Sequence, residues 1–269
     1  METIQELELA VLYACNPPGV GEEAAVVKAQ ATRYCDEVKQ SPDGWQVALQ
    51  MFATTSRPEA RFFSLGVLQE ALGARAGVAA RVTQHENRRV VREVVINWLR
   101  GVGPAGLQAQ ELFVKTKVAV VLALLVKHDY PEVWRDAFME LEGLLQGGTA
   151  YVDVYLRILG AIDDEVVTFH VDRSPEEVEH NCLIKDTMRS TTAISSICRV
   201  IYEVISTYRV EMPRLAAFAL ETLSRYIGWI ELAQVVNDRF LPLFGKCLES
   251  GEEQLVQQTC GCIMEVVNK

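Results

Sequence analysis

Four groups of residues in the 269-residue chain have types and spacings that could do chemistry. Gly101-Val-Gly103-Pro-Ala-Gly106 spells G-x-G-x-x-G, a pattern that cradles a dinucleotide pyrophosphate when a strand enters it and a helix leaves it. Here a helical stripe precedes it, and Pro104 lacks an amide that a phosphate loop would use; the segment is read as an interhelical loop. Asp163, Asp164 and Glu165 are adjacent carboxylates of the kind that bind metal or move protons, but no histidine or second acidic cluster is paired with them. A solvated helix end or an acidic surface for a partner is expected there.

Cys260-x-Cys262 lacks the second pair that a zinc site needs, and residues two apart on a helix face different ways. Both are read as packing residues. The four histidines, His85, His128, His170 and His180, form no ligand-spaced pair. With no G-x-S-x-G, H-E-x-x-H or P-loop in the chain, the expectation is a protein that is not an enzyme and uses no cofactor and no metal.

The elements that must position these residues are helical almost throughout. Tyr151, Val152, Tyr155, Ile158, Leu159 and Ile162 recur with the 3.6-residue period of one helix face. Val91, Val94, Val95 and Trp98 repeat the stripe, closed by Gly101 and Gly103, which can take the left-handed conformation that ends helices. The stretch 112–126 is apolar nearly all round and predicts a central helix contacted on several sides. Ser56 with Glu59, Ser174 with Glu177 and Ser250 with Glu253 read S-x-x-E, the capping box that marks a helix start. Ser41-Pro42 and Ser174-Pro175 add proline at a first helical position, and Asp129 before Pro131 and Glu132 is a further expected cap.

These signals place thirteen helices at 4–14, 22–40, 42–54, 57–73, 84–100, 108–128, 131–146, 149–165, 175–190, 192–208, 212–227, 231–249 and 252–267. Paired in order, the first members recur every 37 to 47 residues or so, the period of HEAT or armadillo repeats. The fold class expected is all-α: a HEAT/ARM-like α-solenoid of about six and a half helical hairpins. The thirteenth helix carries an apolar stripe (Val256, Cys260, Ile263, Val267) without a partner, whereas terminal repeats normally present a polar outer face; the chain is therefore expected to be truncated at its C-terminus.

A formal net charge of -10, from 36 acids against 26 bases, excludes a general nucleic-acid binder, whose phosphate contacts call for a basic surface. The glutamates of METIQELELA argue against a secretory signal. The longest apolar run, Val118 to Val126, is half of the ~18 residues that a bilayer span needs, so no membrane insertion is expected. Seven cysteines, an odd number, suit a reducing compartment. Arg75, Arg81, Arg88, Arg89, Arg92 and Arg100 outweigh Glu86 and Glu93, while seven acids between 163 and 180 face only Arg173. Such runs are either solvated faces or separate basic and acidic surfaces for different partners.

Particular segments then carry a resemblance. VDVYLRILGAIDDEVV (152–167), NCLIKDTMR (181–189) and WIELAQVVNDRF (229–240) resemble the amino-terminal part of the exportin-T family, nuclear export receptors for tRNA. CNPPGVGEEAAVVKAQATRYCDEVKQSPDGW (15–45) is similar to that family's first repeats, and FFSLGVLQE (62–70) to a segment of the wider importin-β/exportin superfamily. Phe113, Lys115 and Lys117, followed by Tyr130, Pro131 and Trp134, resemble the superfamily's basic helix and Y-P-x-x-W turn. The resemblance spans about residues 13 to 269; Gly101 to Gly106 departs from it.

The resemblance implies an arch with first helices on the convex side and second helices on the concave side. Ran-GTP would bind the concave face of the first repeats, tRNA would be held cooperatively with it, and GTP hydrolysis in the cytoplasm would release both. It implies shuttling between nucleus and cytoplasm and passage past nuclear pore proteins. Residues 1–84 would be importin-β-type Ran-binding repeats, and 85–269 exportin-type repeats with a Ran and tRNA surface. For Ran it points to Lys28, Gln69, Glu70, Lys115 and Lys117; for tRNA phosphates, to Arg157, Lys185, Arg189 and Arg239, guanidiniums being suited to phosphate oxygens. Asp163, Glu165, Asn181, Asp186, Asn237 and Asp238 are the remaining polar motif positions, expected either to face a ligand or to form a hydrogen-bond ladder between repeats. The alternative function is a HEAT-repeat protein scaffold or an importin-β-type carrier of protein cargo.

Overall fold

A computed structural model describes residues 2–73, 80–167 and 173–269; Arg75 of the basic window, His170 and Asp172 lie outside the described residues. Among the described residues there are thirteen α-helices and no strand. They gather into two compact units, Met1–Asp129 and Tyr130–Lys269. Helices packed in hairpins, with alternate helices stacked on one another, give the all-α HEAT/ARM-like architecture.

The first unit contains α1 (Glu2–Cys15), α2 (Glu22–Gln40), α3 (Gly44–Thr54), α4 (Pro58–Leu72), α5 (His85–Gln108) and α6 (Leu112–Asp129). Helices α1 and α2, α3 and α4, and α5 and α6 pair as hairpins, and α4 also stacks on α6. Ten residues of α6 are buried, from Val114 to Asp129, as its all-round apolar sequence requires. The G-x-G-x-x-G segment is a kink inside α5: Gly103 takes φ 68° and ψ 168°, and Pro104 opens a last short turn of helix.

Three arginines of the basic window turn into this unit, while Arg89 and Arg100 are exposed. Arg88 Nε donates to Asp129 at 2.6 Å and Arg92 lies 3.9 Å from the second oxygen of a carboxylate with no exposed surface. Arg81 donates to the carbonyls of Lys39 and Ser41. Asp129 is thus the last residue of α6, clamped by two arginines, and not the cap of a following helix.

The second unit contains α7 (Ala137–Gly143), α8 (Thr149–Ile162), α9 (Pro175–Ser190), α10 (Ala193–Tyr208), α11 (Pro213–Ile227), α12 (Phe240–Leu248) and α13 (Glu253–Asn268). Helix α11 packs against α8, α10 and α13. The stripe read for α8 understates its enclosure, since Val154, Leu156 and Ala161 are buried along with the predicted face.

Two helices begin later than their apolar patterns suggest. Residues 131–136 form turns before α7, joined to it where the Trp134 indole donates to Glu140 at 3.0 Å. Before α12, Asn237 Oδ1 accepts the amides of Arg239 and Phe240 at 3.0 and 3.1 Å, so the helix starts at Phe240 and leaves only a 3-10 turn at Leu232–Gln234. Asparagine competes with helical backbone in this way and favours helix starts.

Of the three capping boxes, Ser174 accepts the Glu177 amide at 3.2 Å. Ser56 yields to Thr55, whose hydroxyl takes the Arg57 amide. Ser250 instead donates to the Cys247 carbonyl, and the N-cap position of α13 falls to Glu252, whose side chain makes no cap bond. Pro42 precedes the start of α3 at Gly44.

Candidate functional site

In the first unit, α4 and α6 present a mixed apolar and basic surface. Phe62 and Phe113 meet edge to face at 5.2 Å, and each keeps about two fifths of its surface exposed (40% and 41%). Lys117, one turn beyond Phe113 and so on the same side of α6, lies 5.5 Å over the Phe62 ring and donates to Gln69 Oε1. Glu70 pairs with Lys39 of α2 at 2.8 Å. Beside the two rings a cavity of about 450 Å3 opens between α1, α2, α4 and α6. Two phenylalanines left partly in water beside this cavity form an exposed apolar patch on α4 and α6.

Of the residues assigned to Ran, the structure brings Gln69 and Lys117 together, while Glu70 turns to Lys39. Lys28 is exposed on α2 in the helical stripe that continues through Thr32, Asp36 and Lys39. Lys115 is half-buried and, two residues from both Phe113 and Lys117, projects from another side of α6. Phe62 and Lys39 were not singled out by sequence as parts of this surface. Their signal was two adjacent phenylalanines at 62 and 63, of which a single helix face can bury only one.

The polar motif positions of the second unit are chiefly structural in their contacts. Asp163 opens a π-turn, Asp163–Val167, that follows α8. Arg173 donates to the carbonyls of Asp164 and Glu165 at 3.0 and 2.9 Å, and Asn181 Nδ2 reaches the Glu165 carbonyl at 3.4 Å. Arg225 of α11 pairs with Asp164 at 2.9 Å, and Tyr226 donates to the Leu159 carbonyl at 2.9 Å. Burial raises the Asp163 carboxyl to about 6, against the pull of Arg225, Trp229 and Arg173. These contacts form a ladder that joins α8, α9 and α11. Asn237 is the α12 cap described above, Asp186 pairs with Arg189, and Asp238 is exposed.

Each arginine assigned to tRNA lies over an aromatic ring: Arg157 on Phe218 at 5.1 Å, Arg189 on Trp229 at 5.7 Å and Arg239 on Tyr202 at 4.3 Å. Arg157 is also held by both oxygens of Asp153, at 3.1 and 2.8 Å, and Arg189 by Asp186 at 2.8 Å. Lys185 is buried on α9. A phosphate approaching Arg157 or Arg189 would compete with a carboxylate already in place. Arg199, which sequence did not pick out, donates to Glu142 and to both oxygens of Glu203. Among the described residues no group of three or more His, Cys, Asp or Glu could hold a metal ion, and no helix is long and apolar enough to cross a membrane.

Comparison with known proteins gives a consistent kinship. The family described as Exportin 1-like protein matches residues 111–263. Exportin-T of Dictyostelium discoideum is 34% identical over 266 residues, covering 99% of this chain and 23% of the relative. Exportin-T of Arabidopsis thaliana is 30% identical, covering 99% of this chain and 27% of the relative. Exportin-T of Homo sapiens is 32% identical over 246 residues, covering 90% and 24%. The chain thus spans about a quarter of the length of the curated relatives it matches.

Proposed function

The chain belongs to the exportin family, in its exportin-T-like part, and from that membership we propose that it acts in a nuclear export receptor that takes tRNA together with Ran-GTP. The observation that carries the reading is the surface of α4 and α6, where Phe62 and Phe113 stand exposed beside Lys117, Gln69 and Glu70. Aromatic anchors next to charged groups are the composition of a protein-docking hot spot. On this reading Ran-GTP docks on the α2, α4 and α6 side of the first unit, and tRNA meets the arginines of the second.

The carboxylates on Arg157 and Arg189 keep intrinsic affinity for phosphate low, so RNA is held well only when the GTPase is also bound. That is a coupling free energy between two sites, and it removes the conflict between an acidic chain and an RNA cargo. Such a receptor performs no catalysis. It uses its partner's GTP cycle as a switch, loading in the nucleus, passing nuclear pore proteins and unloading in the cytoplasm.

The same paired arginines favour, as a second reading, a carrier of protein cargo. Capture on immobilised chain decides between them: Ran loaded with a non-hydrolysable GTP analogue should be retained, Ran-GDP should not, and labelled tRNA should be retained only alongside the GTP form. Retention of the GTP form with no gain in tRNA at any salt concentration would favour protein cargo. Equal capture of both nucleotide states would refute the Ran assignment.

A further inference from the structure

Among the arginines assigned to tRNA, Arg239 differs in what already holds it. No carboxylate lies within ion-pair distance of it among the described residues, and its guanidinium covers one face of Tyr202, which Phe240 braces edge-on at 5.4 Å. Arg239 lines a cavity of about 440 Å3, shared with Gln234, Thr192, Ser195, Ser196 and Arg199. Arg199 brings N–H donors, but Glu142 and Glu203 together outweigh its single charge, and Ser196 is bound to the same Glu142. Thr192 begins α10 without a side-chain cap; the Ala193 amide is taken by the Thr191 hydroxyl and the Ser196 amide by the Thr192 carbonyl, which leaves those of Ile194 and Ser195 to add partial positive charge at the cavity wall. Asp238 is the one further charged neighbour in sequence, and it is exposed.

We propose that this cavity seats one phosphodiester of an RNA strand, with the adjoining base stacked on the open face of the Arg239 guanidinium. The phosphate would take the Thr192 hydroxyl and the Ile194 and Ser195 amides of the first turn of α10, and Arg239 would supply the countercharge. A guanidinium fixed flat by an aromatic ring is a stacking platform for a nucleobase, and the Gln234 amide can hydrogen-bond a base edge. A cavity of this volume exceeds what a phosphate alone would fill and leaves room for a nucleotide. The inference rests on the tRNA reading and adds a seat in the second unit that combines stacking with phosphate contact.

The test has two arms. In the first, 15N-labelled chain is titrated with uridine 5′-monophosphate and, separately, with inorganic phosphate, following the amides of Ala193 to Ser196. These amides should shift with both, saturating at several-fold lower concentration with the nucleotide. R239A should abolish the response, and R239K should keep the phosphate response but lose the nucleotide's advantage. R239K keeps a cation and an alkyl stem to cover Tyr202, and so separates loss of the guanidinium from loss of the cover that R239A also removes. No shift at the start of α10, or an unchanged shift in R239A, would overturn the proposal.

In the second arm, labelled tRNA is titrated in the presence of the GTP-form partner. R239A should weaken binding about 10-fold and lower the log–log salt slope by about one phosphate. Nucleotide binding in the cavity with no tRNA binding by the chain would remove the tRNA reading and keep the cavity's chemistry. Binding of tRNA with unchanged affinity and slope in R239A would remove the cavity proposal alone.

Discussion

Asp129 is the clearest place to test how the docking surface is held. Its side chain has no exposed surface and lies 2.6 Å from Arg88 Nε and 3.9 Å from Arg92 Nη1, whose own side chains are 12% and 13% exposed. Asp129→Ala would remove the carboxylate and leave two guanidiniums facing a nearly dry interface, which costs about 3–5 kcal/mol for a buried pair broken on one side. Replacing all three residues by apolar ones of similar size, as in R88M/R92L/D129L, should cost far less, because no charge is then left uncompensated. The loss belongs to the α5–α6 hairpin. Hydrogen exchange should therefore accelerate in α5 and α6 by the factor corresponding to that free energy, while α10 to α13 of the second unit are unchanged. Because α6 also carries Phe113 and Lys117, affinity for the GTPase partner should fall with it. A destabilisation below about 1 kcal/mol, or equal acceleration in both units, would refute the idea that this ion pair anchors the helix.

Four further outcomes are expected. Asp163 has a folded pKa of about 6 against an ordinary 3.8, so the folded chain binds more protons than the unfolded chain between these values and stability falls as pH rises through about 4 to 6; D163N should be the more stable form at pH 7 by up to ~2–3 kcal/mol in urea unfolding. His128 behaves oppositely. Burial lowers its pKa while its ring bonds the Leu72 carbonyl at 2.8 Å, so its stabilisation is present above about pH 6.5 and lost below it, and H128Q should remove the acid-side acceleration of exchange in α4 and α6. Removing the Asn237 cap with N237A should cost about 1 kcal/mol and fray α12, measured by exchange at Phe240 to Phe244. F113A should weaken Ran-GTP binding about 10-fold or more, as truncation of an aromatic anchor does, whereas K115A should change it little; calorimetry compares the two.

The helices were legible because burial follows the apolar period wherever the period is strong. α10 is the example: its apolar stripe is buried from Ala193 to Ile205, and both its ends agree with sequence to within a residue or so. The late starts of α7 and α12 were not legible. In each, an apolar pattern continues into residues whose side chains bond the backbone or the next helix instead, as Asn237 and Trp134 do. Half of the basic window turned inward for a related reason: Arg81 is spent on the Lys39 and Ser41 carbonyls, and Arg88 and Arg92 on Asp129, all distant in sequence from them.

The site was legible only as residue types. Sequence could place Lys117 on a helix with Phe113, but not Phe62 and Gln69 against it, since that contact joins positions 48 or more residues apart. Likewise nothing local distinguishes Arg239 from Arg189. The difference lies in Asp186, one helical turn from Arg189 and within reach of it, whereas Arg239 reaches a ring on α10.

On the function proposed, the face made by α4 and α6 docks a GTPase according to its nucleotide. The direct measurement is the ratio of dissociation constants of the chain for Ran bearing a non-hydrolysable GTP analogue and for Ran-GDP, in the native sequence and in F62A/F113A. The GTP form should bind at least about 10-fold more tightly, a difference of about 1.4 kcal/mol, and the double variant should lose that preference. Equal affinity in the two states, or a preference that survives removal of both rings, would contradict it.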